Sequence, residues 1–248
     1  PMVTFAHADS DDLRLKLSRY LTSGQRPLVI SDGVFPTSGE IAPLAVYDTI
    51  LSDYPGSILC VDDAHAYMVI GETGRGSLEY CGVQGERRYS CGTLSKAAGG
   101  HGGIITGSAA LIEQLKRYSK IPAGASAVPV PAAAASAAGL AILQEQPELR
   151  RQLWTNVAYA KKAFRELGFE GIPDTPVPII CLSAHSSGVP LDLALIQQQL
   201  FAKGIAVLYV PGGSYTSVPK SGALRIAIFS THSREQIDRM VGQIGSML

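Results

Sequence analysis

Short apolar runs and helix-like stretches alternate along the first half of the chain. Apolar runs stand at 27–31 and 57–61, and further strand-like segments follow at 89–93 and 103–106. Short buried strands separated by helices are typical of a mostly parallel sheet that is covered on both faces. The pattern therefore predicts an α/β first half. It also predicts a short strand at 3–6 and helices at 9–21, 42–51 and 109–118.

The pattern changes beyond Pro131, where a long helical region spans 132–167 and Pro147 is expected to interrupt it. The elements predicted after this region are strands at 177–182, 205–209 and 223–229, and helices at 191–203 and from Ser233 onwards. Such a mixture indicates a small α+β unit. The sequence thus predicts two domains, 1–135 and 136–248.

The composition narrows the class of protein. The chain has 248 residues, 46% of them hydrophobic and 17% charged, as expected of a globular protein. Basic and acidic residues both number 21, which predicts no surface for nucleic acid or for an anionic membrane. No apolar run is long enough to span a bilayer, and no signal peptide is apparent. Four cysteines without CxxC spacing predict no metal site, and the cytoplasm is the expected compartment.

Candidate reactive side chains stand where predicted strands end. Asp62 and His65 follow the run at 57–61. Thr93 ends the segment at 89–93, and Lys96 follows it. Ligands of open α/β sheets bind beyond the carboxyl ends of the strands. A pyridoxal phosphate (PLP) site needs a lysine for a Schiff base, an acid for the pyridine nitrogen, and donors for the phenolic oxygen and the phosphate. Chemistry alone leaves a simpler interpretation open, in which the aspartate caps a helix and the lysine is solvated.

Five segments in one order resemble a single enzyme family. They are SDGVF (31–35), GEIAPL (39–44), VDDAH (61–65), GETGRG (71–76) and GTLSK (92–96). In this order and spacing they resemble the α-oxoamine synthases, which are fold-type I PLP-dependent enzymes of the aminotransferase class I/II superfamily. The resemblance implies the C-terminal part of the PLP-binding major domain, followed by a small α+β C-terminal domain.

The resemblance also implies a role for each candidate side chain. Lys96 matches the lysine that forms the Schiff base with PLP, and it would carry protons as well. Asp62 matches the residue paired with the pyridine nitrogen, and His65 the residue near the phenolic oxygen. Thr93 matches a phosphate-binding hydroxyl. Enzymes of this family condense an amino acid with an acyl-CoA and release carbon dioxide.

Further implications concern the substrate and the assembly. Arg225 matches an arginine that binds the substrate carboxylate, although a surface ion pair explains this residue equally well. Ser217 is a weaker candidate for a substrate contact. Active sites of fold-type I enzymes are commonly completed across a dimer, so a homodimer is expected. Ser126 is then expected to face the partner's cofactor phosphate.

Several positions depart from the family pattern. Pro36, which has no backbone donor, stands where the family usually has a serine. Met68 stands where a glycine is usual, after Ala66 and Tyr67, and we expect it to crowd its surroundings. Asp63 is expected to be a capping or solvated acid.

The family's first half should precede Val3, so the chain is expected to be the C-terminal part of a longer enzyme. Two alternative functions stay open. One is a PLP-dependent aminotransferase on the same scaffold. The other is a non-catalytic relic that uses the scaffold for assembly or binding, and the departures at Pro36, Tyr67 and Met68 favour it.

Overall fold

A computed structural model describes residues 2–120, 125–188, 190–214 and 218–248. The chain divides into two compact units. The sheet unit comprises Pro1–Val34 and Ala42–Gln146, and the C-terminal unit comprises Phe35–Ile41 and Pro147–Leu248. The division thus falls between Gln146 and Pro147, whereas the sequence placed a domain boundary at 135/136. Among the described residues no helix combines the length and the apolar character needed to cross a membrane.

The sheet unit is built around four strands in the order β1-β2-β3-β4. These strands are β1 Leu28–Asp32, β2 Ile58–Asp62, β3 Arg88–Thr93 and β4 Gly103–Thr106. The first three pair in parallel and β4 pairs antiparallel to β3. The mostly parallel sheet agrees with the sequence prediction, and it brings the carboxyl ends of β1, β2 and β3 to one edge.

Five helices accompany these strands in the described part of the unit. They are α1 Ser10–Tyr20, α2 Leu44–Ser52, α3 Ser77–Tyr80, α4 Ala109–Tyr118 and α5 Val130–Glu145. Asp9 begins α1 because its side chain accepts hydrogen bonds from the Asp11 and Asp12 backbone amides. The apolar face of α2 buries Leu44, Tyr47, Ile50 and Leu51.

The strand predicted at 3–6 is wrong, because this segment pairs with none of the strands that the described residues form. The Ala6 amide donates to Asp12 Oδ2 at 2.8 Å rather than to a neighbouring strand. The Phe5 ring packs edge-on against Tyr47, with 5.6 Å between the ring centroids. The apolar character of the segment therefore reflects packing against α2 and not sheet pairing.

The C-terminal unit is the predicted α+β arrangement with its own core. Its helices are α6 Glu148–Glu166, α7 Leu193–Ala202 and α8 Arg234–Gly245. Its strands are β5 Phe169–Glu170, β6 Ile179–Leu182, β7 Ala184–His185, β8 Leu208–Val210 and β9 Ala223–Ala227. An antiparallel sheet has the order β6-β9-β8, and β5 pairs with β7. The break expected at Pro147 is confirmed, since α5 ends at Glu145 and α6 begins at Glu148.

Candidate active site

The turn after β2 is fixed by backbone hydrogen bonds to the neighbouring strand and within itself. The Asp63 amide donates to the Cys91 carbonyl on β3 at 2.7 Å. The Asp63 carbonyl in turn accepts from the Ala66 and Tyr67 amides, both at 2.9 Å. These bonds fold residues 63–67 into one helical turn immediately beyond the strand. As a result, Asp62 and His65 stand at the same edge of the sheet.

The loop after β3 is closed in a similar way. The Leu94 amide donates to Gly102 at 2.9 Å, and the Gly100 amide donates to Leu94 at 2.9 Å. The Gly99 amide donates to the Lys96 carbonyl at 3.0 Å. Lys96 therefore projects from a compact loop, and it is exposed.

The structure brings Lys96 and His65 together. Lys96 Nζ lies 2.9 Å from His65 Nε2, although the two residues are 31 positions apart in the chain. An imidazole nitrogen at this distance can accept a proton from an ammonium group or return one to the amine. The pair can therefore exchange a proton between the imidazole and the lysine amine.

Two aspartates flank this pair at the ends of adjacent strands. Asp62 ends β2 and is opposite Asp32, which ends β1. Burial raises the pKa of Asp32, the charge of Asp62 raises it further, and the charges of His7 and Lys96 lower it. The charges of Asp62 and Lys96 thus both act on the Asp32 carboxyl group. The sequence analysis missed Asp32 as a site residue, although it lies within the SDGVF segment at the end of a predicted strand.

The environment of Asp63 differs from that of its neighbour. Because its carboxylate accepts from the amide at the start of α3, the expectation of a capping acid is met in part, whereas the expectation of a solvated Asp63 is wrong. Its side chain is 0% exposed. Ser77 Oγ donates to its Oδ1, and the Ser77 amide donates to its Oδ2 at 3.0 Å. Burial nevertheless raises the pKa of Asp63 to about 6, against the lowering effect of these hydrogen bonds.

The Asp63 carboxylate also explains why glycine stands at two positions of the five family-like segments. A Cβ on Gly33 would lie 2.1 Å from Asp63 Oδ1, and a Cβ on Gly76 would lie 2.3 Å from Oδ2. Gly76 additionally has a φ of +94°, a conformation that favours glycine. Both glycines therefore make room for a buried acid beside the candidate site.

Thr93 lies at the end of β3, close to Lys96 in the chain, but its hydroxyl is used within the loop. Thr93 Oγ1 donates to the Gly102 carbonyl at 3.1 Å and accepts from the Ser95 amide at 3.1 Å. Its hydroxyl proton would have to turn away from Gly102 to reach a phosphate oxygen. The phosphate-binding role of Thr93 stays a prediction.

The remaining sequence candidates lie elsewhere in the chain. Arg225 is on β9 of the C-terminal unit, where its Nε donates to the Pro36 carbonyl at 2.5 Å. Pro36 thus contributes an acceptor at the position where the family pattern has a serine. Ser126 is exposed, and Ser217 lies outside the described residues. Substrate binding by Arg225 and Ser217 stays a prediction.

Met68 occupies the turn in a conformation that suits the glycine usual at this position. Its φ is +65°, in the left-handed region that few residues other than glycine adopt. Its amide donates to the Gly74 carbonyl at 2.7 Å, which holds the backbone in place. The departure from the family pattern at this position is therefore tolerated at a local conformational cost.

Comparisons with known proteins bear on the whole chain. Residues 1–244 match the family model described as aminotransferase class I and II. The chain is 36% identical over 238 residues to an 8-amino-7-oxononanoate synthase of Symbiobacterium thermophilum, covering 94% of this chain and 58% of that protein. It is 34% identical over 239 residues to the synthase of the same name from Thermoanaerobacter pseudethanolicus, covering 96% and 58%.

A solved structure agrees with these matches. The serine palmitoyltransferase of Sphingomonas wittichii superimposes with a TM-score of 0.88 at 26% identity, covering 99% of this chain and 60% of that one. The likeness confirms the α/β fold class expected from the sequence. The chain spans 58% of the length of the two curated relatives.

Proposed function

The chain belongs to the aminotransferase class I and II family, and from this membership we propose that it is part of a PLP-dependent α-oxoamine synthase. The proposed enzyme condenses an amino acid with an acyl-CoA. Support comes from the two relatives named 8-amino-7-oxononanoate synthase and from the five segments of the family resemblance, whose recognition from the sequence agrees with these matches.

One observation carries the proposal, namely the contact between Lys96 and His65. Lys96 Nζ is 2.9 Å from His65 Nε2 at the sheet edge where Asp62 ends β2. A lysine that served only to contact solvent would not need an imidazole from the end of another strand beside its amine. Reactive lysines, in contrast, depend on neighbours that help them lose a proton.

The family and its structures solved with PLP indicate pyridoxal 5'-phosphate as the cofactor. The donor set of this site fits such a group, because an accessible amine, an imidazole and an exposed carboxylate stand at the ends of neighbouring strands. When bound, PLP accepts the electron pair of the bond that is broken at the substrate α-carbon.

Within the proposal each residue has a defined task. Lys96 Nζ is the covalent attachment point and later carries a proton to or from the substrate carbon. His65, whose Nε2 is 2.9 Å from Lys96 Nζ, would lie near the phenolic oxygen. The Asp62 carboxylate would hold the proton on the pyridine nitrogen when PLP is bound. Thr93 would contribute a hydroxyl to the phosphate.

The substrate assignment rests on Arg225. A guanidinium binds a carboxylate through two parallel hydrogen bonds, which suits the carboxylate of an amino acid. The Pro36 carbonyl engages Nε, and this contact fixes the direction in which the guanidinium points. Ser217 is a secondary contact in the proposal.

Two further features belong to the proposal. The enzyme is a homodimer in which Ser126 approaches the partner's cofactor phosphate. It works in the cytoplasm, a compartment in which its four free cysteines stay reduced.

Release of coenzyme A tests the proposed function. The full-length protein is loaded with PLP and incubated with an acyl-CoA and single amino acids, and free thiol and product mass are followed over time. We expect thiol release that requires both substrates and is absent from the Lys96→Ala variant. Formation of a keto acid without thiol release would identify an aminotransferase instead. A protein that takes up no PLP would support the non-catalytic alternative.

A further inference from the structure

The Tyr67 side chain joins the turn that carries His65 to the strand that leads to Lys96. Tyr67 belongs to that turn, since its amide donates to the Asp63 carbonyl at 2.9 Å. Its side chain is 8% exposed, so it points into the sheet unit and away from solvent. Tyr67 lies two residues beyond His65 and is not itself placed among the reacting groups.

The Tyr67 hydroxyl ends in a small polar cluster, in which Ser90 is buried and Thr106 is exposed. It lies 2.6 Å from Ser90 Oγ and 3.0 Å from Thr106 Oγ1. Ser90 and Thr106 are register partners on β3 and β4, and their hydroxyl oxygens are 3.3 Å apart. Burial raises the pKa of Tyr67, so its hydroxyl keeps its proton at neutral pH and can donate to this cluster.

The Tyr67 ring fills space that two glycines leave open. A Cβ on Gly92 would lie 2.7 and 2.8 Å from two ring carbons of Tyr67, and a Cβ on Gly76 would lie 3.1 Å from a third. Gly92 begins the GTLSK segment that contains Lys96. The ring thus lies between Gly76, immediately before α3, and Gly92, at the start of the segment that contains the lysine.

We propose that Tyr67 is a positioning residue that sets the separation of His65 and Lys96, an inference that rests on the function proposed above. The ring holds the turn and Gly92 at a fixed spacing. The hydroxyl locks this spacing, because a shift of the turn would leave buried hydroxyl groups without partners. His65 and Lys96 extend from the two segments so held, and the 2.9 Å contact between them follows from this spacing.

The test compares three variants with a matched control in the full-length protein. Tyr67→Phe removes the hydroxyl and keeps the ring, Ser90→Ala removes its partner, and the double variant removes both. Tyr118→Phe is the control, because Tyr118 lies on α4 and is 71% exposed. Two readouts report on the site: the His65 ring-proton NMR shifts in the cofactor-free protein at one pH, and the visible circular dichroism and affinity of bound PLP.

We expect the His65 shifts to move in both single variants and the circular dichroism per bound PLP to fall. PLP affinity is expected to weaken about fivefold, the effect of one lost hydrogen bond. The double variant should differ little from Tyr67→Phe, because that substitution already removes the contact with Ser90. Tyr118→Phe should coincide with the wild type.

Unchanged His65 shifts in Tyr67→Phe would overturn the inference, and so would fully additive effects of Tyr67→Phe and Ser90→Ala. If Tyr67→Phe fails to fold, Ser90→Ala decides by the same shifts. A wild-type protein that binds no PLP would contradict the proposed function, and the cofactor-free His65 shifts would still decide the role of Tyr67.

Discussion

Two lysines show how differently the two units use the same side chain. In the C-terminal unit, Lys161 is 1% exposed, and its Nζ donates to three oxygens. These are the Pro173 carbonyl at 3.0 Å, the Thr175 carbonyl at 2.7 Å and Thr175 Oγ1 at 3.0 Å. In the sheet unit, Lys96 is exposed and its Nζ lies 2.9 Å from His65 Nε2.

A lowered pKa does not by itself mark a reactive lysine. Burial lowers the pKa of Lys161 to about 8, yet all three donors of its ammonium group are taken by oxygens. None of these oxygens is a base that could accept its proton and leave a free amine within reach of a ligand. Lys96 is both accessible and next to an imidazole, and this combination is what the proposed chemistry requires.

Replacing Lys96 should remove cofactor attachment and leave the stability of the protein nearly unchanged. Lys96→Ala should abolish covalent PLP attachment, because it removes the amine that stands beside His65. The free energy of unfolding should change by less than about 0.5 kcal/mol, as for other exposed side chains. Absorbance of bound PLP and urea denaturation measure the two effects. Lys116→Ala, on an exposed part of α4, serves as the control and should keep the cofactor.

Lys161 should give the opposite result. Lys161→Ala leaves buried oxygens without a donor and opens a cavity, so the free energy of unfolding should fall by about 3–5 kcal/mol. PLP attachment at Lys96 should persist in whatever protein remains folded. The neighbouring Lys162→Ala removes only a surface ion pair with Glu166 and should cost less than about 1 kcal/mol. Equal effects of the two substitutions would contradict a buried structural role for Lys161.

Asp63 should make stability depend on pH near the candidate site. Its pKa is raised from 3.8 to about 6 in the folded protein, so the folded state holds this proton more tightly than the unfolded state. The free energy of unfolding should therefore fall as the pH rises from about 4 to about 6, by about 3 kcal/mol for this group. Denaturation at several pH values, compared with Asp63→Asn, isolates this contribution.

Asp63→Asn keeps an acceptor for Ser77 but cannot ionise. It should be more stable than the wild type at pH 8 and similar to it at pH 4. Ser77→Ala is the matched control, since it removes one donor to the carboxylate and should steepen the fall of stability with pH. A wild type and an Asp63→Asn variant with parallel pH profiles would show that Asp63 is not buried as described.

The smallest expected effect is at Met68. Its φ of +65° is costly for a methionine and free of strain for a glycine. Met68→Gly should raise the free energy of unfolding by up to about 1 kcal/mol, reduced by the greater entropy of the unfolded glycine chain. Thermal denaturation measures the change. A loss of more than 1 kcal/mol would mean that packing by the Met68 side chain outweighs the strain.

Local patterns predicted most of the sheet unit. The apolar runs at 27–31 and 57–61 became Leu28–Asp32 and Ile58–Asp62, because short apolar runs bounded by turn residues favour strands. In β1, however, Leu28 and Ile30 are exposed. The apolar segment at 3–6 looked the same locally, but tertiary packing of Phe5 on Tyr47 decided its conformation. Hydrophobic pattern alone does not separate these two cases.

The sequence likewise predicted the candidate site only in part. The family motifs pointed to Asp62, His65 and Lys96, and the structure brings His65 and Lys96 into contact. Asp62 and Asp63 are adjacent acids, and which of them is buried depends on the cover that α3 provides through Ser77. The Tyr67 hydroxyl meets Ser90 and Thr106, which are 23 and 39 positions away. Only the register of the folded strands reveals such contacts.

Reduction with borohydride followed by peptide mapping tests directly whether Lys96 is the lysine that carries PLP. The full-length protein is loaded with PLP, reduced to fix any lysine-linked cofactor, digested and mapped by mass spectrometry. We expect a pyridoxyl label on Lys96, none on Lys161, and loss of the label in Lys96→Ala. A label on another lysine of the wild-type protein, or none at all, would contradict this expectation.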